Sequence, residues 1–280
     1  MPNLSNVAIQ QFYDAFINEY SAKAVLGSGK TTQLVSGVRG DAYKWPVQGN
    51  ILMQERGAYG SLVPLVDVDY TRKTTTFTDY ATGVTVDEHE QALLETDVVG
   101  TLPAKLAASA ARMEDQIIID TLVGTTVPSS NDIAHGGTNL TVAKVMEVAE
   151  AFKEQNVPEE DRFLLITANQ RTALLNDDKV LNTLYVNNRN LMTGQLDQLL
   201  GMNIITLGNY IEGGLPVTSN IRSCFAWQRN ALGLVRSINA KTNVEWLPQN
   251  LSYLASVNMR LGASTLLEEG VSIIYCDETA

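Results

Sequence analysis

Apolar residues recur along this chain with two different periods, and one stretch obeys neither. From Val7 to Ala24 they fall at Ile9, Phe12, Tyr13, Phe16, Ile17, Tyr20 and Ala24, the stripe of an amphipathic helix. From Ala104 to Val123 a second stripe runs through Leu106, Ala110, Met113 and Ile117, with Arg112, Glu114 and Asp115 pointing elsewhere; Thr101 and Pro103 supply start signals and Gly124 a stop. This predicts a long central helix. Its small face of Ala107, Ala108, Ala110 and Ala111 lets it lie close to a sheet or a neighbour. Thr141 to Asn156 reads as another helix, from Val142, Val145, Met146, Ala149 and Phe152, ended by Asn156-Val157-Pro158. Phe163 to Thr167 is continuously apolar, a strand buried on both faces, and a helix starting near Asn169 carries Leu174 and Leu175. Further strands are expected at Gly201 to Thr206, Ala231 to Val235, Val244 to Trp246, Leu251 to Leu261 and Val271 to Tyr275. The mixed order of elements places the chain in the α+β class.

The stretch that obeys neither period lies in the first third. Gly27, Gly29, Gly37 and Gly40 interrupt any regular element, and Tyr43 to Val47 reads as a short extended piece leading to Gly49. Beyond Pro64, Val66, Val68 and Tyr70 alternate with Asp67, Asp69 and Thr71 as a half-buried strand does. Arg72 to Asp79 is then β-prone but polar on both faces, so neither face suits the core of its own domain. The pattern predicts a protruding two-stranded arm with its tip near Gly57 to Gly60, pinned by something outside the domain. A solvent-exposed hairpin without a partner is the alternative on the residues alone.

Composition narrows the classes. The 280 residues are 45% hydrophobic and 18% charged, which excludes wholesale disorder, collagen and coiled coil. The formal net charge of −11 repels polyphosphate and argues against general nucleic-acid binding. Two cysteines, Cys224 and Cys276, are too few for a disulfide scaffold and lack zinc-ligand spacing, so a reducing compartment fits. No apolar run approaches the ~20 residues that cross a bilayer, and the chain opens on no charged-then-apolar export signal.

Candidate chemistry is sparse. Gly27-Ser28-Gly29-Lys30-Thr31 resembles the end of a phosphate-binding loop, but Ala24 stands where the first glycine belongs and the segment follows a helical stripe rather than a buried strand. His89 sits in Asp87-Glu88-His89-Glu90, whose adjacent side chains diverge in any regular element and cannot converge on one ion. His135 has no partner pattern either, and Cys224 lies in an apolar setting that suits an inert thiol. Acidic pairs such as Asp67 and Asp69 or Glu159 and Glu160 are too numerous for any one to stand out. No catalytic residue, metal ligand or cofactor site is assigned, and an assembly subunit is the profile that remains.

Several segments, taken in order, resemble the major capsid proteins of tailed bacteriophages, the Hong Kong ninety-seven type fold, in the podovirus-like branch of unprocessed coats. Val38 to Val47, Arg56 and the threonine-rich run to Tyr80 resemble the N-arm leading into the extended loop. Ala104 to Gly124 is similar to the spine helix, Asn156 to Thr167 with Gln170, Leu174 and Leu175 to the passage after it, and Gly262-Ala263 with Leu266 to Val271 to the closing strands.

The resemblance implies an arm over 1–48, the extended loop over 49–90, and spine helix with peripheral domain over 91–140. An axial domain over 141–245 and return strands of the peripheral domain over 246–280 complete it. It implies a non-enzymatic subunit that pairs with itself in pentamers and hexamers of an icosahedral head. The partners it implies are a scaffolding protein, a portal protein and decoration proteins, with packaged double-stranded DNA touched only weakly and no membrane. Assembly would take place in the cytoplasm of the host bacterium, and the product would be the virion capsid. Inter-subunit contact is expected at the loop tip, Gln54, Glu55, Arg56 and Tyr59, and at Arg72 and Lys73, the only basic residues between Gly57 and Val99. An encapsulin-like bacterial compartment shell and a phage tail or adaptor subunit are the competing readings.

Overall fold

The computed structural model describes residues 25–27, 29–49, 51–57, 59, 62–63, 65–93, 98–177, 198–209 and 213–279. The helix expected over Val7 to Ala24 lies outside these residues. Two sheets and a long helix organise the rest.

The first sheet has the order β1-β11-β12-β4, from β1 (Gln33–Ser36), β4 (Thr78–Asp87), β11 (Leu232–Leu247) and β12 (Ser252–Thr265). β11 and β12 form one long antiparallel hairpin, β4 pairs antiparallel along β12, and β1 pairs parallel with β11. Ala255, Val257, Met259 and Leu261 alternate along β12 and are buried, the period-two pattern of a sheet covered on one face. The cover is α2 (Val98–Val123), whose Leu106, Ala110 and Met113 lie over that face as the alanine-rich stripe suggests. Toward its C-terminal end Ile117, Ile118, Ile119 and Leu122 are all buried, so here the helix is enclosed on several sides. A short helix, α1 (Glu88–Leu93), precedes it.

The second sheet has the order β5-β13-β10-β6-β8-β7, with β9 (Val217–Thr218) also on β10. Its members are β5 (Asp132–Ile133), β6 (Arg162–Thr167), β7 (Gln198–Leu199), β8 (Met202–Leu207), β10 (Ile221–Gln228) and β13 (Val271–Asp277). Every residue of β6 is buried, as its unbroken apolar run requires. α3 (Val142–Glu154) packs Val142, Val145, Val148 and Phe152 into this core, and Thr141 caps it by accepting the Lys144 N–H; α4 (Ala168–Asn176) follows β6 directly.

Four expectations need correction. The long helix begins at Val98, ahead of its start signals, and Pro103 lies inside it, where its missing N–H forfeits a single bond to the preceding turn. Gln33–Ser36 is a strand although glycines flank it, because β11 supplies backbone partners from two hundred residues away. Ile221–Gln228, the centre of the second sheet, was not anticipated, and the two strands expected near 231–235 and 244–246 are one. Residues 65–69 form no strand: Val66 is exposed and only Val68 is half-buried. Of the last two strands, β12 belongs to the first sheet and β13 to the second.

Candidate inter-subunit surface

The arm is real in its root. β2 (Ala42–Gln48) and β3 (Tyr70–Thr76) pair only with each other, with Trp45 opposite Lys73 and Tyr43 opposite Thr75. Strand alternation sorts the ribbon into two faces. One face carries Tyr43, Trp45, Lys73 and Thr75, and the other carries Lys44, Pro46, Arg72 and Thr74.

The first face is buried on the chain's own first sheet, contrary to the expectation that neither face could be. Trp45 is 7% exposed, packed with Val235 and Leu266 and edge-on to Tyr43 at 5.0 Å between centroids. Its Nε1 donates to Thr75 Oγ1 at 2.9 Å, and the Thr75 hydroxyl is in turn bonded to that of Ser264. Two glycines clear the ground: a Cβ on Gly233 would stand 2.7 Å from the Trp45 ring, and one on Gly262 would collide with the Thr76 carbonyl. Reading β3 alone missed this seat because its apolar anchor comes from β2 and its space from β11 and β12. The glycines inside two strand patterns were the available signal.

Ion pairs tie the root from outside. Lys73 Nζ reaches Glu268 at 2.8 Å, and Arg260 reaches Asp41 at 3.0 Å and Asp79 at 3.3 Å while lying over the Phe77 ring. Phe77 is the break between β3 and β4, and its N–H donates to the Asp41 carbonyl. Lys73 is therefore turned inward on its own subunit, whereas Arg72 is exposed on the opposite face.

Beyond the root, residues 51–57 and 65–69 form no regular element. Gln54, Glu55 and Arg56 are exposed there, and Tyr59 is fully so. These four lie in the span that joins β2 to β3, apart from Arg72 and Lys73 in the ribbon itself. Their neighbours carry the larger surprise: Met53 is 99% exposed, Leu62 93% and Leu65 95%, with Ile51, Leu52 and Val63 also bare. Burying one such side chain is worth about 1.5–3 kcal/mol, and so many bare in one segment mark a surface awaiting cover. The signal was legible in Ile51-Leu52-Met53 and Leu62-Val63, but the polar strand drew the reading away from it.

The phosphate-loop look-alike is tied to the body at its start. Buried Asp115, on α2, accepts N–H bonds from Val25, Leu26 and Gly27 at 2.9, 2.9 and 3.0 Å. Arg236 bonds the Glu114 carboxylate and the Gly27 carbonyl, Arg229 donates to Gly29 O, and the Trp227 indole to Thr31 O. The amides of Val25, Leu26 and Gly27 thus hold a carboxylate of the chain itself, and the Gly29 and Thr31 carbonyls add further ties to the body. Burial pushes the Asp115 and Glu114 carboxyls above their ordinary range, opposed in Asp115 by the three N–H bonds and in Glu114 by Arg236.

Elsewhere the His89 N–H donates to Asp87, a local turn bond. Cys224 and Cys276 are free and buried, and a hydrogen bond to Cys276, together with burial, pushes the Cys224 thiol well up. Among the described residues no three His, Cys, Asp or Glu side chains group as metal ligands, and no helix is long and apolar enough to cross a membrane.

The chain thus combines a long helix laid on one sheet, a second sheet, and a seated ribbon that carries bare apolar side chains. Residues 4–278 match the family of phage capsid proteins, and the chain belongs to that family. It is a structural protein of the virion capsid with the Hong Kong ninety-seven type fold. The head structure of Helicobacter pylori bacteriophage KHP40 shares the fold with a TM-score of 0.75 at 12% identity, covering 89% of this chain and 88% of that one. The capsid of cyanophage P-SCSP1u matches at 0.73 and 14% identity over 92% and 89%, and a chain of Mycobacterium phage Che8 at 0.68 and 16% over 86% of each. No curated protein matches the chain in sequence.

Proposed function

We propose that this chain is the coat subunit that forms the pentamers and hexamers of an icosahedral head around double-stranded DNA, with its extended loop lying across the neighbouring subunit. The observation that carries this reading is the set of bare apolar side chains Ile51, Leu52, Met53, Leu62, Val63 and Leu65, in the span attached to a ribbon whose root is seated. Such a segment gains cover only from another molecule, and a closed shell supplies the same cover to every copy. A net charge of −11 keeps the wall from gripping packaged DNA, so contact with the genome is weak and non-specific. Scaffolding, portal and decoration proteins are the further partners of this reading, with assembly in the host bacterial cytoplasm.

Deleting residues 54–60 tests it. The subunit should keep its melting temperature, because Gln54, Glu55, Arg56, Gly57 and Tyr59 are exposed, and should fail to close shells under electron microscopy and sedimentation. Normal shells from the deletion would overturn the loop's role.

A further inference from the structure

The two strands of the ribbon carry three cations, and the fold divides them. Lys73 shares the seated face with Trp45 and is paired with Glu268. Lys44 and Arg72 share the other face, Lys44 opposite Thr74 and Arg72 opposite Pro46, which makes them diagonal neighbours about 7 Å apart. Both are exposed, and neither has an ion pair among the described residues. Ala42, Pro46, Thr74 and Thr76 around them are short, while the pair Gln48 and Tyr70, with Tyr70 exposed, closes the same face at the loop end.

A matching set of carboxylates lies on α3. Its apolar face is buried in the second sheet, and Glu147, Glu150 and Glu154 line the exposed side at helical spacing, about 5–6 Å between neighbours. None of the three has an ion pair among the described residues. Lys153 is paired with Glu159, and Lys144 points inward, its Nζ donating to the carbonyls of His135, Thr138, Asn139 and Tyr275. The ribbon face thus holds two cations outside any ion pair, and α3 three carboxylates outside any ion pair, among the described residues.

We propose that the Lys44 and Arg72 face of the ribbon docks on the Glu147, Glu150 and Glu154 stripe of a second copy of this chain. The inference rests on the reading that the chain assembles with its own copies, and it names a contact distinct from the apolar loop. Charge complementarity at matched spacing selects register in a chain whose copies otherwise repel. The short side chains between the cations allow a helix to approach.

A charge swap tests it. Lys44→Glu with Arg72→Glu, and separately Glu147→Lys with Glu150→Lys, should each leave melting of the unassembled subunit unchanged, since all four positions are exposed, and lower shell yield about tenfold. Combining the four changes should restore yield to within about twofold of the parent. The loss in each pair should fade as salt rises from about 50 to about 500 mM. Reversal of either pair with yield intact, or a combination no better than the single pairs, would overturn the contact. Shells that form normally from Lys44→Glu with Arg72→Glu but lose packaged DNA would assign the cationic face to the polyanion and overturn it equally. If the parent chain forms no shells either alone or with a scaffolding protein, the assembly reading falls and takes this contact with it.

Discussion

Gly233→Ala tests whether the arm is held by its own subunit. The added methyl would stand 2.7 Å from Trp45 Cζ2 and 2.8 Å from Cε2, so the ring must retreat by about 0.7 Å to reach ordinary contact. Neither side yields easily. Gly233 is held in register between Gln33 of β1 and Ser264 of β12, and the indole is held by its bond to Thr75 and by the Tyr43 edge. Compressing the site costs about 1–3 kcal/mol. Lifting the ribbon instead forfeits about 1 kcal/mol of hydrogen bond and up to about 3 kcal/mol of indole burial. The cheaper route wins, so the expected loss is about 2 kcal/mol, or roughly 4–8 °C in the melting temperature of the unassembled subunit. Calorimetry of the parent, Gly233→Ala, Trp45→Leu and the double variant gives the decisive comparison. The smaller leucine makes room for the methyl, so the double variant should melt close to Trp45→Leu alone, a coupling of more than about 1 kcal/mol. A single variant within about 1 °C of the parent, or strictly additive losses, would refute the seat.

Two further perturbations probe the body. Asp115→Asn should destabilise by about 1–2 kcal/mol, because the amide nitrogen cannot accept the Val25 N–H. Burial holds the Asp115 carboxyl above its unfolded value, so the folded state binds the proton more tightly and this group's contribution is lost as pH rises. Melting temperature should therefore fall less steeply in the variant than in the parent as pH rises through and above the ordinary carboxylate range, and an unchanged slope would contradict the assignment. Lys144→Met removes the donor shared by four carbonyls and should lower the urea midpoint by the equivalent of about 3–5 kcal/mol; a parent-like midpoint would mean that water satisfies them instead.

What this sequence determines by itself is whatever depends on neighbours in the chain. The stripes of α2 and α3 are set by side chains three and four residues apart, and the unbroken run Phe163 to Thr167 could only be a strand with both faces covered. The order of these segments was enough to reveal the family resemblance. The arm was legible only in part: β3 shows that it is polar, but not that Trp45 of β2 anchors it or that Gly233 and Gly262 leave room for it. Arg72 and Lys73 are adjacent in sequence, and alternation alone sends them to opposite faces. Which face meets the body, and that Glu268 waits there for Lys73, depends on how two sheets and a ribbon come together. The same holds for Asp115, whose three N–H partners lie some ninety residues away, and for β1, whose pairing is with residues two hundred positions on. Local periodicity encodes which face of an element is apolar, but a polar group's partner is a fact of three-dimensional proximity, and no spacing rule reaches across that distance.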